Sequence, residues 1–196
     1  MDDGSIGRLL VASLHQSIAD ELPIRLDFYE FWLSPEGLRD GRIGLAPLAA
    51  VLSFLRQEGG GAYPRVTARA GAYSAGWLVD ALNPTQRRVA LWVPRRVRVW
   101  WVLRLAHRLV RQTCGGSLVV SRGVGLGGGS VDVRGSVFCH VRDRVPAPLC
   151  QFYAAALRVL LSRFDLPMDA RTVDCKAVGA AKCTIVLTAA QGPVDA

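Results

Sequence analysis

Apolar residues recur at helical spacing through most of this chain and switch to short β-prone runs only in its later part. Ile6, Leu9, Leu10, Leu14 and Ile18 fall on one side of a helix over residues 5–22, and Pro23 follows its end. Residues 24–33, IRLDFYEFWL, alternate only in part and fit either strand or helix. A loop runs from Ser34-Pro35-Glu36-Gly37 to about Gly44. A second helix is expected over 45–57, with Pro47 in its first turn and Gly59-Gly60-Gly61 after it. A third covers 66–82 and closes before Asn83-Pro84. Residues 87–93 read as a short strand, broken by Pro94. Residues 96–113 read as a helix with Val99, Val102, Leu103, Ala106 and Val110 on one side, stopped by Cys114-Gly115-Gly116.

The β signal is clearest at 117–121 and 130–134, two short runs around GVGLGGG that predict a hairpin. A further strand is expected from Ser136 through Val141. Residues 146–164 form the most regular helix, with Leu149, Phe152, Tyr153, Ala156, Leu157, Leu160 and Leu161 as a broad apolar face. Strands over 171–176 and 183–188 flank a turn at Gly179, and the tail AAQGPVDA reads as loose.

A chain of 196 residues with 51% apolar positions has room for one substantial core. No run of 18 uninterrupted apolar residues is present, so no ordinary membrane span is expected. The acidic start MDDGSIGRLL does not read as a secretory signal, so a cytoplasmic location, where thiols stay reduced, is the expectation. The net charge is +8, and all but two of the 24 basic residues (Lys176 and Lys182) are arginine. Arginine suits anionic partners, although an arginine-rich coding bias explains the same composition.

Three of the five cysteines, Cys150, Cys175 and Cys183, fall within 34 positions. Thiolates so placed can meet at one metal ion or can be buried thiols; the spacing leaves both open. Cys150 sits at a helix start, where a thiolate is favoured, and Cys175 and Cys183 flank a strand-turn-strand segment. Cys114 and Cys139 read as spare thiols, Cys139 as a half-buried strand residue beside His140. The segment RRVALWVPRRVRVWWVLRLAHRLVRQ holds eight arginines and three tryptophans. It reads mainly as packing with solvated arginines, then as a surface for peripheral membrane contact or a partner, with nucleic acid disfavoured. The glycine run does not match a phosphate loop, so no nucleotide cofactor is expected. His15, His107 and His140 belong to no recognisable dyad, and the absence of any catalytic motif leans away from an enzyme.

The run PLCQFYAAALRVLLSRFDLPMDARTVDCKAVGAAKCTIVL resembles the C-terminal part of the vinyl-4-reductase domain family, matching at Pro148-Leu149-Cys150, Cys175, Gly179 and Cys183. GGGSVDVRGSVFC resembles the strand and turn before it, so the likeness covers roughly residues 117–187. The family includes the phenol- and toluene-sensing domains of bacterial activators. Its resemblance implies an α+β fold, an antiparallel sheet packed against several helices, as in nitric-oxide-signalling and Golgi transport-particle proteins. It also implies a structural zinc held by Cys150, Cys175 and Cys183 with a glutamate. That glutamate's position is Thr172 here, a poor ligand, so the fourth donor is left to water, Asp174 or a residue elsewhere.

The same resemblance implies an apolar pocket between sheet and helices, for which Trp100, Trp101, Phe138, Phe152 and Tyr153 are wall candidates. His107, on a helix near Trp100 and Trp101, reads as an ordinary core or surface histidine or else as a group that orients a ligand hydroxyl. The expected organisation is an N-terminal helix and extension over 1–40 and a ligand-binding domain over 41–190. The expected function is binding of a hydrophobic or aromatic small molecule, a tetrapyrrole precursor among the options, as sensor, carrier or accessory protein. The alternatives are a protein–protein module, with a homodimer as one form, or an enzyme of porphyrin-type metabolism. A sensor would pass its signal to a protein partner.

Overall fold

The computed structural model describes residues 6–33, 42–43, 45–125, 128–141 and 143–189. Helix α1 (Arg8–Glu21) buries Leu10, Leu14 and Ile18, and a 3-10 turn at Pro23–Arg25 leads into α2 (Leu26–Leu33). The ambiguous run 24–33 is thus helical: Tyr29 and Leu33, four apart, are its buried positions. Most of the loop expected from Ser34 onward lies outside the described residues. Helix α3 (Leu45–Gln57) has the expected bounds, and α4 (Ala62–Asp80) begins four residues before the expected start. Pro64 is tolerated there because the first-turn N–H groups have no intrahelical acceptor.

The strand expected over 87–93 is instead a helix, α5 (Pro84–Trp92). Asn83 caps it by accepting from the Thr85 N–H at 2.9 Å, and Pro84 sits at its first position. A short apolar run cannot separate the two periods by itself, and the cap decides the matter. Helix α6 (Arg95–Cys114) follows, close to its expected bounds, with Gly115 left-handed after it.

The two-residue strands β1 (Ile6–Gly7) and β2 (Arg42–Ile43) pair beside the end of α6. The main sheet is built from β3 (Ser117–Gly125), β4 (Gly128–Arg134), β5 (Met168–Asp174) and β6 (Cys183–Ala189). Its order is β3-β4-β6-β5, with every pairing antiparallel. The expected hairpin is present, and its strands reach further into the glycine run than the sequence pattern implied. The expected strand from Ser136 to Val141 is not a strand. Gly135, at φ +73°, turns the chain out of the sheet, and Val137–Cys139 form a 3-10 turn.

Val131, Val133, Ile185, Leu187 and Ala170 line the inner face of the sheet, and all are buried. Helix α7 (Gln151–Arg163) packs over β5 and α6 over β3; α4 lies against α7, and α1 against α4. The α4–α7 approach is close enough to require glycine. A Cβ at Gly71 would sit 2.0 Å from the Phe152 carbonyl oxygen. One continuous core results, running from the sheet through α7 to α1 and α3. Among the described residues, no helix is long and apolar enough to cross a membrane.

Candidate functional site

Four cysteines converge where α7 meets the β5–β6 hairpin. Cys150 is the residue that starts α7, and Cys175 follows β5 just after a bulge. A 3-10 turn at Lys176–Val178 and left-handed Gly179 (φ +99°) reverse the chain so that β6 begins at Cys183. The fourth, Cys139, ends the 3-10 turn after β4. The Cys139 Sγ lies 3.1 Å from that of Cys150, 3.3 Å from Cys175 and 3.4 Å from Cys183, and the Cys150–Cys175 distance is 3.7 Å. All four sulfurs fall within 4.8 Å of one another.

Disulfide sulfurs are about 2.05 Å apart, so these are free thiols. Metal–sulfur bonds of about 2.3 Å in a tetrahedron give sulfur–sulfur edges near ~3.8 Å. These four separations are at or below that edge and every pair lies within 4.8 Å, so the cluster could close on a metal ion with small movements. Cys150, Cys175 and Cys183 are fully buried, and Cys139 is half-buried. The Leu149 N–H donates to the Cys175 Sγ and the Lys176 N–H to the Cys183 Sγ, each at 3.4 Å. Such donors favour thiolates and fix the ligand geometry. Hydrogen bonds from Cys139 and then Cys150 hold the Cys175 and Cys183 thiols below their ordinary range, while Cys150 is pushed up, chiefly by Cys139. The backbone donors and the neighbouring thiols thus favour the thiolate form at the same two sulfurs, those of the hairpin.

The fourth member is the residue read from sequence as a spare strand thiol. Cys139 reaches the group because its segment leaves the sheet as a 3-10 turn, which a strand reading could not anticipate. Asp174 is exposed and outside the cluster, and the neighbouring His140 is exposed and outside it too. Thr172, at the family's glutamate position, places its hydroxyl oxygen 3.5 Å from the Cys150 carbonyl oxygen and contributes no ligand atom. Cys114 lies apart, at the end of α6, with its Sγ 3.1 Å from the Tyr153 hydroxyl.

Three of the pocket-wall candidates meet in the interior. Phe138 stacks on Phe152 with ring centroids 5.0 Å apart, and Tyr153 stands edge-on to both, at 5.6 and 5.2 Å. Tyr153 also borders a small void of about 10 Å³ with Leu109, Val110, Leu118, Ala156, Leu157 and Leu160, between α6, α7 and β3. That is the size of one water. Trp100, Trp101 and His107 do not join this group. They line an open groove of about 960 Å³ along α6, with Arg104, Arg108 and Arg111. His107 holds its Nδ1 3.2 Å from the Leu118 carbonyl oxygen.

No protein-family model matches the chain, and no curated protein matches it. Eight chains of solved structures do. One is the crystal structure of the phenol-responsive sensory domain of the transcription activator PoxR with phenol, at a TM-score of 0.52 and 17% identity over 75% of each chain. The likeness shows the fold: this chain shares its α+β architecture with that domain.

Proposed function

We propose that this domain binds a small aromatic or similarly apolar molecule between α6, α7 and the sheet, and that the four cysteines hold one structural zinc ion. One observation carries the reading. Cys150, Tyr153, Leu157 and Leu160 follow one another at spacings of three, four and three along α7, so the metal candidate and the interior void share one helix stripe. The likeness to a phenol-responsive domain supports the ligand class.

Four cysteine ligands make a closed site. Closed tetrahedral thiolate sites are structural, whereas catalytic zinc keeps a position open for water or substrate. Zinc here would tie the 3-10 turn, the α7 start and the β5–β6 hairpin together and set the position of α7. The other parts are supplied by the chain itself. Phe138, Phe152 and Tyr153 form an apolar wall, and ligand surface buried against it stabilises the complex by about 25 cal/mol per Å². Among the residues that line the void, Tyr153 carries the polar side chain; burial, then the Cys114 thiol beside it, keep its hydroxyl protonated well above the ordinary tyrosine range.

A void of about 10 Å³ cannot take an aromatic ring without displacing its walls. Binding is thereby coupled to movement of α6 or α7, which is what a sensor requires. A tetrapyrrole precursor is far larger than this interior void, and the reading does not extend to it.

The test is native mass spectrometry of protein purified without added metal, followed by phenol titration monitored by thermal shift. One zinc per chain, and a phenol-dependent rise in melting temperature that Ala156→Phe abolishes, are expected. A metal-free folded chain rejects the zinc. A phenol response unchanged in Ala156→Phe rejects the interior site.

A further inference from the structure

The corner between α5 and α6 presents side chains that the fold does not use. Trp92, at the end of α5, is 91% exposed, and Val89 and Leu91 on α5 and Val97 and Trp100 on α6 are exposed as well. No aspartate or glutamate occurs between Pro84 and Cys114, while eight arginines do. Arg87 and Arg98 pair with Asp80 and Asp165. Among the described residues, Arg88, Arg96, Arg104 and Arg108 have no carboxylate partner.

Their spacing is regular. Arg88 and Trp92 are four apart on α5; Arg96, Trp100, Arg104 and Arg108 are four apart on α6 and all exposed. Each helix therefore carries tryptophan and arginine on one exposed stripe. The Arg104 guanidinium lies 5.3 Å from the Trp100 ring centroid, so charge and aromatic surface are presented together.

We propose that this corner is a docking surface for an anionic phospholipid bilayer, with Trp92, Leu91 and Val89 entering the headgroup region and the arginines on lipid phosphates. The charge complementarity requires an anionic partner. The exposed aliphatic residues select the bilayer over a nucleic acid, since an interface rewards buried Val and Leu as well as Trp, whereas nucleic acid offers stacking only to the rings. Tryptophan favours the membrane–water boundary, and long arginine stems lie along apolar surface while their heads reach the phosphates. The surface is separate from the cysteine cluster and the interior void, so the proposal stands without the reading of either.

The test is flotation of the full chain with vesicles of phosphatidylcholine alone and of phosphatidylcholine mixed with phosphatidylglycerol. The expected result is binding to the mixed vesicles only, weakened by salt and accompanied by a blue shift of tryptophan emission. Arg88→Gln with Arg96→Gln should weaken binding about fivefold per arginine. Trp92→Ser should weaken it further and diminish the blue shift. All three positions are solvent-facing, and an unchanged circular dichroism spectrum confirms folding. No binding to either vesicle overturns the proposal, as does equal binding to both. So does an arginine-dependent affinity for duplex DNA or an acidic protein that matches the vesicle affinity and is indifferent to Trp92→Ser.

Discussion

The Cys139 and Cys150 sulfurs lie 3.1 Å apart, one at the end of a 3-10 turn and the other at the start of α7. This contact closes the cluster, because the other two sulfurs both come from the β5–β6 hairpin. Without Cys139 the hairpin and the helix would offer three thiols and an open position. With it, the segment after β4 is fastened to the same point as α7.

Cys139→Ser should therefore abolish stoichiometric zinc and cost on the order of 4 kcal/mol, the scale of losing a metal site. Cys114→Ser, which removes a thiol outside the cluster, should leave zinc content unchanged. Atomic emission on the purified variants, with urea melts for stability, checks both. Equal zinc in wild type and Cys139→Ser would show that this sulfur is not a ligand.

Position 172 offers a complementary test. Thr172 stands beside the Cys150 carbonyl, where a longer acidic side chain would approach the sulfurs. Adding Thr172→Glu to Cys139→Ser should restore metal binding, since carboxylate oxygen is a competent zinc ligand. Zinc content of the double variant against Cys139→Ser alone is the readout; no recovery would mean that the strand does not aim this position at the cluster.

Gly71→Ala should destabilise the chain by about 2–3 kcal/mol, as an overpacked core contact does. The added Cβ meets a backbone oxygen, which cannot rotate away, so α4 and α7 must separate. Gly76→Ala on the same helix meets nothing within 4 Å and should be neutral or slightly stabilising. Paired denaturant melts separate the two.

Asp132 accepts from Lys182 Nζ at 2.7 Å and from Thr184 Oγ1 at 3.1 Å on the outer face of the sheet. Burial alone would raise its pKa, but the hydrogen bonds from Lys182, Ser121 and Thr184 outweigh it and hold the carboxyl below its ordinary value. A depressed native pKa contributes stability that is present above the unfolded value, near ~3.9, and is lost as pH falls through the native value. Asp132→Asn should cost about 1 kcal/mol at neutral pH. That difference from wild type should shrink below about pH 4. A difference that stays constant into acid would assign the cost to packing rather than to the carboxylate.

Helices α1, α3, α6 and α7 were legible in the chain because each carries a buried stripe at a spacing that no other element shares. The hairpin β3–β4 was legible from β-prone runs around glycines. The errors occurred where a short apolar run had no period of its own. Residues 87–93 looked like a strand until the Asn83 cap was formed, and 136–141 looked like a strand until Gly135 turned the chain aside.

By itself the sequence determined the long helix α7 and the closeness of three cysteines along the chain, since these depend on local spacing, and the α+β class was legible only through a family resemblance. Tertiary structure alone decided that Cys139 joins them, that Phe138, Phe152 and Tyr153 pack together, and that Trp100, Trp101 and His107 lie along an open groove. The reason is distance along the chain. Cys139 and Cys183 are 44 positions apart, and no local pattern records that two turns from separate strands will end on the same few ångströms of space.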